Sequence, residues 1–415
     1  MENVDIREFE TENSRTAEEE IDSTGNTKVI QLQKSAVTSG ETIAKLISSR
    51  WYVHRDSLLL DVGDDLRENP DIHVIGVVDD DTKIAGIIVR RHILDLLARP
   101  FGRDVLRNET VGNILHPVRA FYFDMNALSV GELLDQETAG HHISYYALKF
   151  TDHTFTGIVS SQDILVYLSG ITKKDITLAR KIQTKIVKEF IQIEQKNFDL
   201  VCTSQMARGV GGDFYTYRNY APGKWFICIC DVSGKGMAAS LVTCALWGMI
   251  DSYDFRKGII PLISELNSFL MDTFDLEKFV TGTFLDLNEE TGNIEIADMG
   301  HGYAYFLKKG EFFRVKSSDS NLPIGISDTL DPKAFRYKLQ ENDFLIFITD
   351  GLVEQTNVEG KEMSVKPVLK ILREYESRSL TSIKVKLLEE LHSFRGTKHL
   401  QDDVTFLLLR YLKNV

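Results

Sequence analysis

The rhythm of apolar and polar positions changes twice along the chain. The first twenty-odd residues, beginning MENVDIREFETENSRTAEEE, hold no apolar run and few aromatics. Such a segment cannot bury enough surface to offset the entropy of ordering, so a disordered acidic tail is expected through residue 29. From residue 30 short apolar runs appear. His73 to Val78 and Ile84 to Val89 read as strands joined by the turn Asp79–Lys83, and His92 to Ala98 carries apolar residues at helical spacing. The order then returns: Ile143 to Leu148 and Phe155 to Val159 as strands, Ser160–Asp163 as a turn, and Ile164 to Leu168 as a helix. Residues 30–171 therefore read as one α/β domain built on an internal repeat.

Between residues 172 and 197 the period lengthens. Ala179, Ile182, Ile186, Phe190 and Ile193 fall on one face of a helix, with charged and amide residues elsewhere. At 1.5 Å per residue the linker helix would span roughly 35 Å. Its apolar stripe could lie on its own domain or pair with a second copy of itself.

From Phe198 the texture becomes many short strands with two early helices. Trp225–Cys230, Phe344–Thr349 and Val404–Leu409 are apolar at nearly every position, as in strands covered on both faces, and Met237 to Ile250 is a largely apolar helix. Residues 198–415 form a second domain on this reading, and the fold class is α+β.

Whole-chain numbers narrow the function. With 415 residues and 43% hydrophobic content the chain can fill two cores. A net charge of -13, with no basic block, argues against nucleic acid and against anionic membrane surfaces. There is no signal-peptide pattern and no span-length apolar stretch, so a cytoplasmic location is expected. Cys202, Cys228, Cys230 and Cys244 are too few for a disulfide framework and lack the paired spacing of a zinc site; Cys228 and Cys230 read as core.

The chemistry lies in carboxylates at strand ends. Asp213 follows Gly211-Gly212, Asp231 closes the Trp225–Cys230 strand, Asp350 closes Phe344–Thr349, and Asp402-Asp403 precede Val404–Leu409. One such Asp is an ordinary turn residue. Several together offer hard oxygen donors without His or Cys, a set suited to Mg²⁺ or Mn²⁺. Two such cations about 3.5–4 Å apart can clamp a phosphoryl group for in-line displacement. Lys235, in Gly234-Lys235-Gly236, either faces an anion near a helix start or is solvated. No Ser or Thr follows it, so this is not a phosphate-binding P-loop. Gly211-Gly212-Asp213-Phe214 lacks the second acidic residue of a GGDEF cyclase. His301 reads as a buried turn histidine, with a catalytic role as the alternative.

The ordered set VGGDF (210–214), DVSGKG (231–236), GTFLDL (282–287), MGHG (299–302), TDGL (349–352) and DDVT (402–405) resembles the PPM-type metal-dependent phosphatases of the SpoIIE-like branch. The resemblance implies two antiparallel sheets flanked by helices, with metals at one end. It implies that Asp231 bridges two metals. The Val232 carbonyl and Asp213 would serve one metal, and Asp350 and Asp402 the other; Asp403 stands beside Asp402 as an equal candidate. Catalysis would rest on Asp213, Asp231, Asp350 and Asp402. The substrate implied is a phosphoserine or phosphothreonine protein, by resemblance an anti-sigma-factor antagonist. The rival is a phosphatase-like module that binds without turnover, which loss of a metal carboxylate would betray; all are present.

Residues 30–171 resemble a tandem cystathionine-β-synthase (CBS) pair. Gly157, Ser160 and Asp163 match the pattern with which such pairs bind an adenine nucleotide, the Asp on the ribose and the hydroxyl toward phosphate. In the first repeat Gly86 is followed by Val89 and His92, which break the pattern. The bland alternative is that Ser160 and Asp163 cap the next helix. CBS pairs commonly associate face to face, so a homodimer through the pair and the linker helix is expected.

Overall fold

The computed structural model describes residues 27–35, 40–135, 143–316, 318 and 321–413. The chain divides into two compact units, Met1–Thr172 and Lys173–Val415. Most of the expected acidic tail, residues 1–26, lies outside the described residues. Lys28 and Val29, assigned to that tail, are tied down instead. The buried Asp65 carboxylate accepts the backbone amides of Lys28, Val29 and Ile30 at 2.8–3.1 Å.

The N-terminal unit repeats one motif. Its first half holds β1 (Gln31–Leu32), β2 (Trp51–His54), α1 (Leu59–Glu68), β3 (Val74–Val78), β4 (Ile84–Val89), α2 (Arg90–Leu97) and the short α3 (Gly102–Val105). Its second half holds β5 (Ala120–Tyr122), α4 (Ala127–Asp135), β6 (Tyr145–Lys149), β7 (Phe155–Ser160) and the start of α5 (Ser161–Ile186), whose residues from Lys173 on belong to the C-terminal unit. In each half a parallel pair, β2–β3 or β5–β6, is extended by an antiparallel strand, β4 or β7. Val74, Val78, Ile87, Phe155 and Ile158 join the halves in one apolar cluster. Gly76 is required there, because a Cβ would lie 2.7 Å from the Phe155 ring.

The C-terminal unit follows with β8 (Phe190–Glu194), β9 (Phe198–Gln205), β10 (Phe214–Ala221), β11 (Lys224–Val232), α6 (Met237–Ser252), α7 (Ile259–Phe274), β12 (Val280–Asn288) and β13 (Asn293–Met299). Then come β14 (Ala304–Lys308), β15 (Glu311–Arg314), β16 (Phe335–Lys338), β17 (Phe344–Ile348), α8 (Asp350–Val353), α9 (Val365–Glu374), α10 (Leu380–Arg395) and β18 (Val404–Tyr411). Two sheets result, ordered β10-β11-β12-β13-β16 and β15-β14-β17-β18-β9-β8, with antiparallel neighbours throughout. Alternation assigns the side chains. Leu345 and Phe347 of β17, with Leu407 and Leu409 of β18, enter the large core that also takes in α6 and α7. Phe344, Ile346 and Ile348, with Phe406 and Leu408, enter a second core under α9 and α10. Both faces are covered, which is why these strands are apolar at nearly every position. Cys202, Cys228 and Cys230 are free thiols inside the larger core.

The linker expectation is corrected. The helix is α5, which starts at Ser161 and ends at Ile186, so it is not confined to 172–197. Phe190 and Ile193 lie instead on β8, paired with Thr203 and Leu200 of β9. Their neighbourhood alternates with period two, Ile191 and Ile193 packing on the core while Phe190, Gln192 and Glu194 face out. The open edge of β9 satisfies their backbone groups and outweighs the helical spacing. Among the described residues no helix is long and apolar enough to cross a membrane.

Candidate active site

The carboxylates converge because their strands do. β17 and β18 are neighbours in the six-stranded sheet, which sets Asp350 beside Asp402 at one end. β10 and β11 are neighbours in the other sheet, where Phe214 pairs with Cys230, so Asp213 stands next to Asp231. Asp231, Val232, Asp350 and Asp402 all line one cavity of about 370 Å³. Asp213 is 2% exposed, behind Asp231, and accepts the Thr349 hydroxyl at 2.7 Å.

Asp402 and Asp403 separate here. Asp402 lines the cavity, with Lys235 Nζ 2.6 Å from its carboxylate. Asp403 turns away and accepts the amides of Ala207 and Gly212, both at 2.8 Å. The glycines before Asp213 fit around these groups. A side chain at Gly211 would run into the Asp403 carboxylate, and a Cβ at Gly212 would lie 2.6 Å from the Val232 carbonyl.

Burial and mutual repulsion dominate the electrostatics. Asp231 is pushed up to about 8, first by burial and then by Asp350, Asp402 and Asp403. Burial, followed by Asp231 and Asp403, holds Asp213 well above the usual carboxylate range. Asp350 is raised by burial and by Asp402. Such a group of oxygen donors is costly to ionise alone and suits a divalent cation.

Residues 221–412 match the family model described as Stage II sporulation protein E (SpoIIE), and residues 44–99 match that of the CBS domain. This chain carries a SpoIIE-type phosphatase domain with a CBS domain N-terminal to it. The phosphoserine phosphatase RsbU of Bacillus subtilis (strain 168) is 25% identical over 270 residues, 64% of this chain and 76% of that protein. The phosphoserine phosphatase RsbP of the same organism is 24% identical over 244 residues, 57% of this chain and 58% of that protein. Among solved structures, the SiaA-PP2C domain of Pseudomonas aeruginosa gives a TM-score of 0.50 at 18% identity, covering 59% of this chain and 98% of that one. The C-terminal unit thus has the PP2C fold.

Within the phosphatase domain, several positioning residues escape a reading of sequence alone. Gln183, 1% exposed on α5, donates to the Gly211 carbonyl at 2.7 Å and accepts its amide at 3.0 Å. Thr243 of α6 donates to the Gly212 carbonyl at 2.9 Å. Together they clamp the loop that carries Asp213. Lys235 faces a carboxylate rather than an open anion site, and also donates to the Gln401 carbonyl at 2.9 Å. His301 borders the cavity but is almost wholly buried, its Nδ1 3.3 Å from the Thr281 hydroxyl. Burial lowers it to about 4, so it is neutral at physiological pH, in keeping with a turn histidine.

In the N-terminal unit, Ser160 and Asp163 form a reciprocal cap on α5. The Asp163 carboxylate accepts the Ser160 amide at 3.0 Å and its hydroxyl at 2.5 Å, while Ser160 Oγ accepts the Asp163 amide at 3.1 Å. Both residues also line a cavity of about 170 Å³ with Trp51, His73 and Tyr145. Gly157 does not reach it; a Cβ there would meet Ile47 at 2.7 Å.

Proposed function

We propose that the phosphatase domain hydrolyses phosphoserine or phosphothreonine on a cytoplasmic regulatory protein, an anti-sigma-factor antagonist, with Mn²⁺ or Mg²⁺ as cofactor. The observation that carries this is the meeting of Asp231, Asp350 and Asp402 in one cavity, with Asp213 behind them. Asp231, Asp350, Asp402, Asp213 and the Val232 carbonyl would hold the cation. Bound there, it supplies Lewis-acid stabilisation of charge on the transferring phosphoryl group. The chain's own part is to hold those oxygens in place. Asp403 fixes the loop before Asp213 through the amides of Ala207 and Gly212, and Gln183 and Thr243 brace the same loop. Lys235 offsets one carboxylate charge and can meet a phosphate oxygen at the cavity mouth. The test is phosphate release from a phosphoserine peptide and from p-nitrophenyl phosphate. Release is expected with Mn²⁺ and not with chelator; equal release in chelator would refute the reading. No release under either condition would favour the silent binding module.

The N-terminal unit is proposed to control this activity by taking an adenine nucleotide in the Ser160–Asp163 cavity. An adjoining cavity of about 380 Å³ shares His73 and Tyr145 and brings Arg90 and Arg91, cations suited to phosphate. A homodimer through this unit and α5 is the proposed assembly. Its support is the exposed pair Leu178 and Ile182, one turn apart on that helix. Calorimetry with AMP, ADP and ATP, with sedimentation of the full chain, tests both parts.

A further inference from the structure

One side of the phosphatase cavity is apolar where the fold has no need of it. Phe279 lines the cavity and is 39% exposed. Near it stand Leu276, Leu322 and Ile326, exposed by 56%, 43% and 38%. Two segments supply them, the α7–β12 connection and the chain around Ile324. Val280 and Ile324 zip these together with two hydrogen bonds of 2.8 Å. Gly325 backs onto the Lys278 carbonyl, where a Cβ would lie only 2.9 Å away. Pro323 packs on Gly300, itself a wall of the cavity, which sets Leu322 close to the mouth.

Single exposed apolar residues are ordinary; four on two zipped segments beside one cavity make a shelf. Leu276 also sits at φ +69°, after Asp275 at φ +44°. A leucine adopts this left-handed backbone less readily than Asn or Gly would, so local conformation does not account for its presence. A cation also borders the cavity. Lys235 lies on the Ser233–Gly236 loop, and Lys278 donates to the Ser233 carbonyl at 3.1 Å.

We infer that this shelf docks large apolar side chains flanking the phosphorylated serine or threonine, so that the enzyme selects phosphosites with apolar neighbours. The inference rests on the phosphatase reading of the cavity. Phosphate enters beside Lys235, and the substrate chain lays an apolar side chain from within about three residues of the phosphosite, some 10 Å of extended backbone, over Leu276, Leu322 and Ile326. Phe279, which belongs to both cavity and shelf, makes the two surfaces continuous.

The experiment uses the full chain with Mn²⁺ and three substrates: p-nitrophenyl phosphate and two phosphoserine heptapeptides differing only in Leu or Asn on either side of the phosphosite. The wild type should favour the Leu peptide by about tenfold in kcat/KM. The triple variant Leu276→Asn, Leu322→Ser, Ile326→Ser should bring that ratio to near unity and leave p-nitrophenyl phosphate hydrolysis unchanged. A wild-type ratio near unity, with all three substrates turned over, would overturn the shelf and spare the phosphatase reading. A variant that changed oligomeric state while keeping the wild-type ratio would also overturn it, giving the shelf to a second copy of the chain. Wild type inactive on all three substrates would remove the phosphatase reading itself.

Discussion

The carboxylate of Asp403 accepts the Gly212 amide at 2.8 Å across 191 positions of sequence, while its neighbour Asp402 faces the cavity. Adjacent aspartates therefore carry different loads. Asp403→Ala strips the acceptor from the amides of Ala207 and the buried Gly212 and should lower unfolding free energy by about 1–3 kcal/mol. Asp402→Ala removes a half-exposed charge among like charges and should leave stability unchanged or raised in chelator, while weakening Mn²⁺ binding. Urea unfolding with and without Mn²⁺ checks both. A stability loss in the Asp402 variant as large as in the Asp403 variant would contradict the division.

Without a bound cation the site should make the fold sensitive to alkali. Asp231 titrates at about 8 when folded against 3.8 as a free side chain, and Asp213, Asp350 and Asp403 are raised in the same direction. Between those two values the folded state holds protons that the unfolded chain has released. Stability from these groups is thus fully present below about pH 4 and declines as pH rises through 8. A cation binds the ionised carboxylates, so the rise in Tm on adding Mn²⁺ should be larger at pH 8 than at pH 5. Thermal melts of wild type and Asp231→Asn measure the difference. An equal rise at both pH values in the wild type would count against the site.

Legibility in the sequence followed local chemistry and failed at distance. The strands β17 and β18 are legible because both faces are buried, and Asp231 and Asp350 because each closes an apolar run. The end of the linker is not legible because Ile182, Ile186, Phe190 and Ile193 fit a helical stripe, while the partner that makes β8 a strand, β9, is set by sheet pairing. Gln183 looks like a solvated helix residue until Gly211, 28 positions on, is brought against it. Asp402 and Asp403 could not be told apart, since only folding decides which carboxylate meets the Gly212 amide.

The Ser160–Asp163 pair makes cap and ligand roles separable. Ser160→Ala and Asp163→Ala each break the reciprocal cap and should lower the stability of the N-terminal unit by about 0.5–2 kcal/mol. If the cavity takes an adenine nucleotide, Gln162→Ala and Tyr145→Ala, which line the cavity without joining the cap, should weaken binding and leave the cap intact. Calorimetry and thermal melting on the same proteins give both readouts. No nucleotide heat from the wild type would leave the pair as a cap alone.

The last prediction concerns Asp231→Asn. Its carboxylate is largely buried and stands among Asp213, Asp350, Asp402 and Asp403, with Lys235 paired to Asp402. Without a cation Asp231 must take up a proton to fold beside these carboxylates at neutral pH, and a neutral amide need not, so in chelator the variant should melt at or above the wild-type temperature. The amide is also a weaker ligand for a hard cation, so millimolar Mn²⁺ should raise the wild-type Tm and barely move that of the variant. Losing about 3 kcal/mol or more of phosphoryl-charge stabilisation would slow p-nitrophenyl phosphate hydrolysis at least about a hundredfold. The three readouts must move together. An inactive variant that melts well below wild type in chelator would be a folding defect, and a stable variant with near wild-type turnover would remove Asp231 from the catalytic centre.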